Sequence, residues 1–273
     1  MSYAEYAKVV HPRPYVLDIR QGTGHFIYFG TGHTHDASDP QLRSLRRLWE
    51  ELKPEVVLNE DGPRLPLGTL KDSVERDGEG GALAFWAKED GIPNLSLDMT
   101  REQEVSELRK SFPAAELKTF YALRSFQELS RRPEGARGNR TPEQIVSANL
   151  FRAAANGLIG GPSSAAELDA IWPSLKMPHD WRKPESSWFD PGLSGAGTVL
   201  NRIATASSEI RDQYMVDRIV EWVASGKRVL AVEGASHVVM QEQAIHKALP
   251  KARISGSGLE RKGSRAHPSK LQA

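Results

Sequence analysis

His25-Phe26-Ile27-Tyr28-Phe29-Gly30-Thr31-Gly32-His33 is a short apolar run, rich in aromatic residues, that ends on Gly-x-x-His. Its composition predicts a core strand. The glycines at its carboxyl end let the backbone turn sharply, so that the next side chain points into the crevice beyond the sheet, where open α/β sheets bind ligands. The same arrangement returns late in the chain: Arg228 to Val232 is an apolar run, followed by Glu233 and then Gly234-Ala235-Ser236-His237. Two strands that each deliver a histidine at the same end of a sheet can bring those histidines together. Gly22-Thr23-Gly24-His25 has the same spelling but precedes its strand, so His25 is expected at the opposite edge and is left out of the site.

Working outward, Tyr15 to Ile19 and His25 to Gly30 read as a hairpin across the turn residues Gln21 to Gly24. Asp39-Pro40 opens a helix whose apolar residues Leu42, Leu45, Leu48, Trp49 and Leu52 recur at three and four, ending before Pro54. Glu55 to Asn59 follows as a buried strand. A helix over about Gly81 to Asp90 then leads through Gly91-Ile92-Pro93 to a strand at Asn94 to Leu97. This alternation predicts an α/β fold with a central, mostly parallel sheet and flanking helices.

The alternation stops between 100 and 208. Helices are expected at Ala114 to Arg131 and Thr141 to Ala155, followed by an aperiodic stretch from Ile159 to Gly197, read as a lid loop. Trp172, Trp181, Trp188 and His179 in that stretch would either line a substrate pocket or anchor the loop. The sheet pattern resumes with a helix at Glu209 to Ser225, the strand Arg228 to Val232, a helix at Val239 to Leu249 and a last strand at Ala252 to Ser255. The expected organisation is a single α/β domain over 1–257, with 100–208 as a helical insertion or cap, and a flexible tail over 258–273.

Composition limits the chemistry. Over 273 residues, 36 Lys and Arg stand against 35 Asp and Glu, so no global field draws the chain to nucleic acid or to an anionic membrane. The expected partner is a small-molecule or peptide substrate, and oligomeric state is left open. There is no cysteine, which removes disulfides, thiolate nucleophiles and Cys-ligated zinc or iron–sulfur sites. The start, Met1 to Lys8, has no basic segment followed by an apolar run, and no apolar stretch approaches the ~20 residues that span a bilayer. A cytoplasmic location is the expectation.

A third group comes from the strand Glu55 to Asn59, which runs into Glu60 and Asp61 at its carboxyl end. His33, Glu60 and His237 then suffice to ligate a hydrolytic divalent metal such as Mn, Zn or Co, with positions left for water and substrate. Without metal, the same carboxylate and imidazoles can activate water as a general base. Both uses stay open. A lone histidine after a strand is more often a hydrogen-bonded structural residue; two Gly-x-x-His motifs together with Glu60 reverse those odds. His35 is a further ligand candidate, whereas Asp36 serves equally well as a helix cap or turn residue. Arg211 and Asp212 are accounted for by a charged first turn of their helix. Gly30-x-Gly32-x-x-His35 lacks the last glycine of a dinucleotide fingerprint, and there is no Gly-Lys-Ser/Thr phosphate loop. Val238 stands where a nucleophile elbow around Ser236 would need glycine. No His-Glu-x-x-His motif is present.

The ordered set resembles the Tiki/TraB/GumN family and, more distantly, the erythromycin esterase and ChaN-like proteins. The matching pieces are Gly30-Thr31-Gly32-His33, Glu60 with Arg64, Gly91-Ile92-Pro93 leading to Leu97-Asp98, Arg211-Asp212 with Tyr214-Met215, and Val232 to Val238. The resemblance implies a metal-dependent, Tiki-like hydrolase of a peptide, amide or ester, with His33, Glu60 and His237 as its core. Arg64 and Arg211 would be its positive groups and Asp212 an additional ligand. The more distant relatives imply two alternatives: a metal-independent, esterase-like hydrolase, or a non-catalytic protein that binds haem, another tetrapyrrole or a peptide. The insertion matches nothing in the family pattern, so substrate identity does not carry over.

Overall fold

After a short helix α1 (Tyr3–Tyr6), β1 (Tyr15–Gln21) and β2 (Gly24–Thr31) form the expected hairpin, pairing antiparallel from Tyr15 opposite Gly30 to Gln21 opposite Gly24. In the computed structural model the described residues are 1, 3–60, 62–131, 138–193 and 197–256. Asp61 and the tail at 258–273 lie outside them. Next come α2 (Pro40–Leu52), β3 (Val56–Asn59), α3 (Leu70–Asp90) and β4 (Asn94–Ser96). The middle of the chain holds α4 (Arg101–Leu108), α5 (Ala114–Ser130), α6 (Pro142–Ala155) and α7 (Ala165–Ile171). The long α8 (Val199–Ala224), β5 (Arg228–Gly234), α9 (Ala235–Ala248) and β6 (Arg253–Gly256) complete it.

The six strands lie in the order β4-β3-β5-β2-β1-β6. The β4/β3, β3/β5 and β5/β2 pairs are parallel, whereas β2/β1 and β1/β6 are antiparallel. The sheet is therefore parallel through its middle and one edge, and antiparallel at the other. Side-chain alternation splits the apolar residues between two layers. Phe26, Tyr28, Val56, Leu58, Val229 and Ala231 pack with α9 and the later part of α8. Ile27, Phe29, Val57, Leu230 and Val232 pack with α2 and α3 on the opposite face. Strands covered on both faces read as continuous apolar runs, which is why β2, β3 and β5 stand out in the sequence. Each fully buried Leu or Phe contributes about 1.5–3 kcal/mol.

By internal contacts the chain divides into two compact units. Met1–Asp98 and the chain from Asp212 form the first, which holds the sheet; Met99–Arg211 forms the second, which is helical. The division between the units falls within α8, between Arg211 and Asp212. The second unit has its own core, with Phe120, Leu123, Phe126, Ile145, Leu150 and Leu168 packed around Trp181 and Trp188.

Several boundaries differ from expectation. The stretch 159–197 is not an aperiodic lid loop: it contains α7 and 3₁₀ turns, and Trp181 and Trp188 are 0% and 2% exposed in the helical core, so they hold the second unit together. Trp181 is held further by its indole N–H donating to Asp169 at 2.8 Å. α4 was not expected, although Thr100 and Gln103 form a reciprocal capping box at its start. α8 begins ten residues early because Val199, Leu200 and Ile203 are buried in the second core. Among the described residues no helix is long and apolar enough to cross a membrane.

Candidate metal centre

The chain leaves β2 toward α2 and leaves β3 toward α3, both on one face of the sheet, whereas it leaves β5, which lies between them, toward α9 on the other face. Loops that diverge from neighbouring parallel strands open a crevice at their carboxyl ends. Register puts the expected residues level with one another there. Gly30 lies opposite Glu233 and Thr31 opposite Gly234; Asn59 lies opposite Val232, and the Glu60 amide donates to the Val232 carbonyl at 3.2 Å.

His33, Glu60 and His237 meet at this point. A Cβ on Gly234 would lie 2.8 Å from His33 Nε2 and 3.9 Å from His237 Cδ2, so both imidazoles sit against the same bare stretch of backbone. Any larger residue at 234 would displace His33. The His33 backbone is itself left-handed, with φ 53°, a conformation that is uncommon outside glycine and clusters at functional sites. Its Nδ1 lies 3.5 Å from the Thr31 hydroxyl. Glu60 Oε2 accepts from the Gly234 amide at 3.2 Å, which places a carboxylate at the N-terminus of α9, where the helix dipole favours negative charge.

α9 starts at Ala235, not near Val239 as the apolar pattern suggested. His237 therefore belongs to the first helical turn and Gln241 lies one turn on, on the same face. His237 Nδ1 is 2.7 Å from Asp212 Oδ1; Gln241 Nε2 donates to the same oxygen at 2.7 Å, and the Tyr28 hydroxyl donates to Gln241 Oε1 at 2.9 Å. This chain has only one consistent direction. The tyrosine donates to the amide oxygen, the amide N–H donates to the carboxylate, and the imidazole Nδ1–H donates to that same carboxylate. Nε2 of His237 is left as a lone-pair donor. Burial first, and then the negative charges of Glu233, Asp212, Glu60 and Asp98, push the Tyr28 hydroxyl well above its ordinary pKa, so it stays a donor.

Glu60, Glu233 and His237 each offer one ligand atom, and these three atoms all lie within 4.8 Å of one another. This set differs from the expected His33, Glu60 and His237 in one member: Glu233, fully buried, joins the cluster, and His33 stands beside it. The sequence did carry a signal for Glu233. It is an acid at the end of an otherwise apolar strand, on the side of the sheet that also bears Tyr28 and Ala231. Asp212, expected as an additional ligand, is hydrogen-bonded to His237 as its orienting partner. Two carboxylates and an imidazole suit a hard or borderline divalent cation.

Glu60 and His33 also border a cavity of about 280 Å³ on the α3 side, lined as well by His35, Asn59, Arg64 and Arg76. Arg64 is thus beside the site. His35 is in the same cavity, with Nδ1 3.1 Å from the Glu75 carbonyl. Arg211 is half-buried and is the last residue of the second unit, next in sequence to Asp212. The cavity owes its wall to an unexpected feature of α3. The helix starts at Leu70, capped by Thr69, and breaks at Gly78, with φ 60° and ψ −141°. A Cβ there would lie 2.8 Å from the Thr34 carbonyl, so only glycine lets the segment after β2 approach so closely. The buried Glu79 carboxylate then accepts from the Thr34 amide at 2.8 Å. Glycines at 78, 80 and 81 have low helix propensity, so this first half of α3 does not stand out in the sequence, where the helix is expected only from about Gly81.

Comparison of the chain with protein-family models, with curated proteins and with solved structures finds no match.

Proposed function

We propose that this protein is a divalent-metal-dependent hydrolase of the Tiki/TraB type, acting on a peptide, amide or ester bond. The observation that carries the proposal is the convergence of Glu60, Glu233 and His237 within 4.8 Å at the carboxyl ends of parallel strands. In this reading those three residues hold the cation, which when bound supplies Lewis acidity toward a carbonyl and toward water. Asp212 orients His237 through Nδ1, and Gln241 and Tyr28 hold Asp212 in turn. His33, on the cavity side of Gly234, accepts or returns the proton that moves during hydrolysis. Arg64, in the same cavity, faces negative charge developing on the substrate. The order of these residues in the sequence supports the family assignment. A cytoplasmic location is part of the same proposal.

A second reading, metal-free water activation as in esterase-like relatives, is favoured by one observation: the 2.7 Å contact between Asp212 and His237 is also the arrangement of an oriented general base. The haem alternative has less support, because two carboxylates make a poor ligand set for haem iron. The test is turnover of a panel of short peptides, amides and p-nitrophenyl esters, before and after chelation and with Mn, Zn or Co restored. Activity that disappears on chelation and returns with one of these ions is expected. Full activity after exhaustive chelation would transfer the assignment to the metal-free reading, and no turnover in any condition would defeat both.

A further inference from the structure

We infer that the helical unit carries a second ligand site, for a compact oxyanion borne on a small apolar group, in the cavity between α4, α5 and α6. This goes beyond the hydrolase proposal and does not depend on it. The cavity, about 100 Å³ in volume, is lined by Arg101 from α4, Tyr121 from α5, Asn149 and Arg152 from α6, and Asn156 just beyond. Its floor is apolar, with Val105 and Leu158 buried beneath. Among the described residues no Asp or Glu lines it.

Both cations are held in place from behind. Glu104, 3% exposed, accepts from Arg101 Nη1 on Oε2 at 2.6 Å and from the Ser207 hydroxyl on Oε1 at 2.6 Å. The Arg101 guanidinium also lies 4.7 Å from the centre of the Tyr121 ring. Asn149 is fixed by donating to the Ala122 carbonyl at 3.0 Å, and its Oδ1 faces Arg152 Nη1 at 3.3 Å. Glu104 pairs with Arg101, whereas Arg152 is held by a neutral amide oxygen, so two guanidinium groups with five N–H donors each stand against one carboxylate and the local charge stays positive. Arg211 adds to this positive potential, since its charge acts on Arg101. Burial, and then Glu104, raise the Tyr121 hydroxyl above its ordinary pKa, which keeps it a neutral donor. Preorganised guanidinium and amide donors over an apolar floor match a phosphate monoester or a small organic carboxylate. The volume limits the ligand to the headgroup and a few carbons.

The test is calorimetric titration of the intact protein with phenyl phosphate, benzoate and, as the neutral control, benzyl alcohol, in about 0.15 M chloride so that non-specific attraction is screened. Saturable binding of either anion, at least about tenfold tighter than benzyl alcohol, is expected, and the tighter of the two identifies the headgroup. Arg152→Met, at an exposed position, is expected to weaken it by about tenfold or more, and Asn156→Ala by a smaller factor. His237→Ala is expected to leave it unchanged, which separates this site from the metal centre. No saturable anion binding below about 10 mM, equal binding of benzyl alcohol, undiminished binding in Arg152→Met, or loss of binding in His237→Ala would overturn the inference.

Discussion

The two ends of β2 carry the same four letters with different consequences. At the amino end, Gly22-Thr23-Gly24-His25 puts the imidazole of His25 3.0 Å from Asp18 on the neighbouring antiparallel strand, and it goes no further. At the carboxyl end, Gly30-Thr31-Gly32-His33 delivers His33 to the backbone of Gly234, beside His237 and the Glu60–Glu233 pair. The motif is the same and so are the neighbouring strands, β1 and β5; what differs is the end of β2 at which it lies. Past the carboxyl end, β2 meets a parallel neighbour whose chain leaves for the opposite face, and a crevice opens. At the amino end the strand turns back in a two-residue hairpin and the partly buried histidine lies beside Asp18 of the adjacent strand. A Gly-x-x-His is thus informative only together with the direction of the strand it follows.

The comparison can be broken most severely at His237. His237→Ala removes the imidazole that Asp212 orients, and turnover is expected to fall by about 10³-fold or more, while circular dichroism and melting temperature show a folded protein. Gly234→Ala should follow, since its new methyl would meet His33 Nε2. A loss of about 100-fold in kcat is expected with little change in stability in denaturant titration, because the atom met is the far end of an exposed side chain. Unchanged turnover in Gly234→Ala would show that the position of His33 is immaterial. Gln241→Leu cuts the link between Tyr28 and Asp212, and a loss of about tenfold in kcat with little change in KM is expected, because Asp212, which orients His237, is then held by one partner fewer.

The smallest effect is expected at the other end of the strand. His25→Asn should leave kcat/KM within about twofold of the parent. Burial lowers the pKa of His25 below its ordinary value of 6.5, with Asp18 opposing in part. The folded state therefore prefers the neutral ring, and the stability tied to it is present above about pH 6.5 and is lost as pH falls through the folded value. His25→Asn should flatten that part of the stability-versus-pH curve by less than about 1 kcal/mol, as followed by urea unfolding between about pH 7.5 and 5. A large loss of activity in this variant would erase the distinction between the two motifs.

Much of this was legible from strand patterns alone. β2, β3 and β5 are covered on both faces, so their apolar runs are continuous, and the residues that follow them, His33, Glu60 and Gly234 to His237, were identified with the right neighbours. What escaped depended on three-dimensional packing. Glu233 was hidden because an acid inside a strand becomes meaningful only when Glu60 and His237 are seen to converge on it. Gln241 was missed because the start of α9 was placed near Val239, and its partnership with Asp212 follows from the true start at Ala235. The break of α3 at Gly78 is set by the approach of Thr34, a tertiary contact that the local glycines permit but do not specify. Likewise Trp181 and Trp188 look like loop aromatics in one dimension but are the centre of a second core.

The proposed chemistry requires Glu60, Glu233 and His237 to act together on one cation. Elemental analysis of protein purified without a metal-affinity tag, carried out side by side on the parent, Glu233→Gln and His237→Ala, measures this directly. The account predicts close to one equivalent of Mn, Zn or Co in the parent and its loss from both variants, each still folded. Metal retained at parental stoichiometry in both variants, or a parent that takes up none when these ions are supplied, would contradict it.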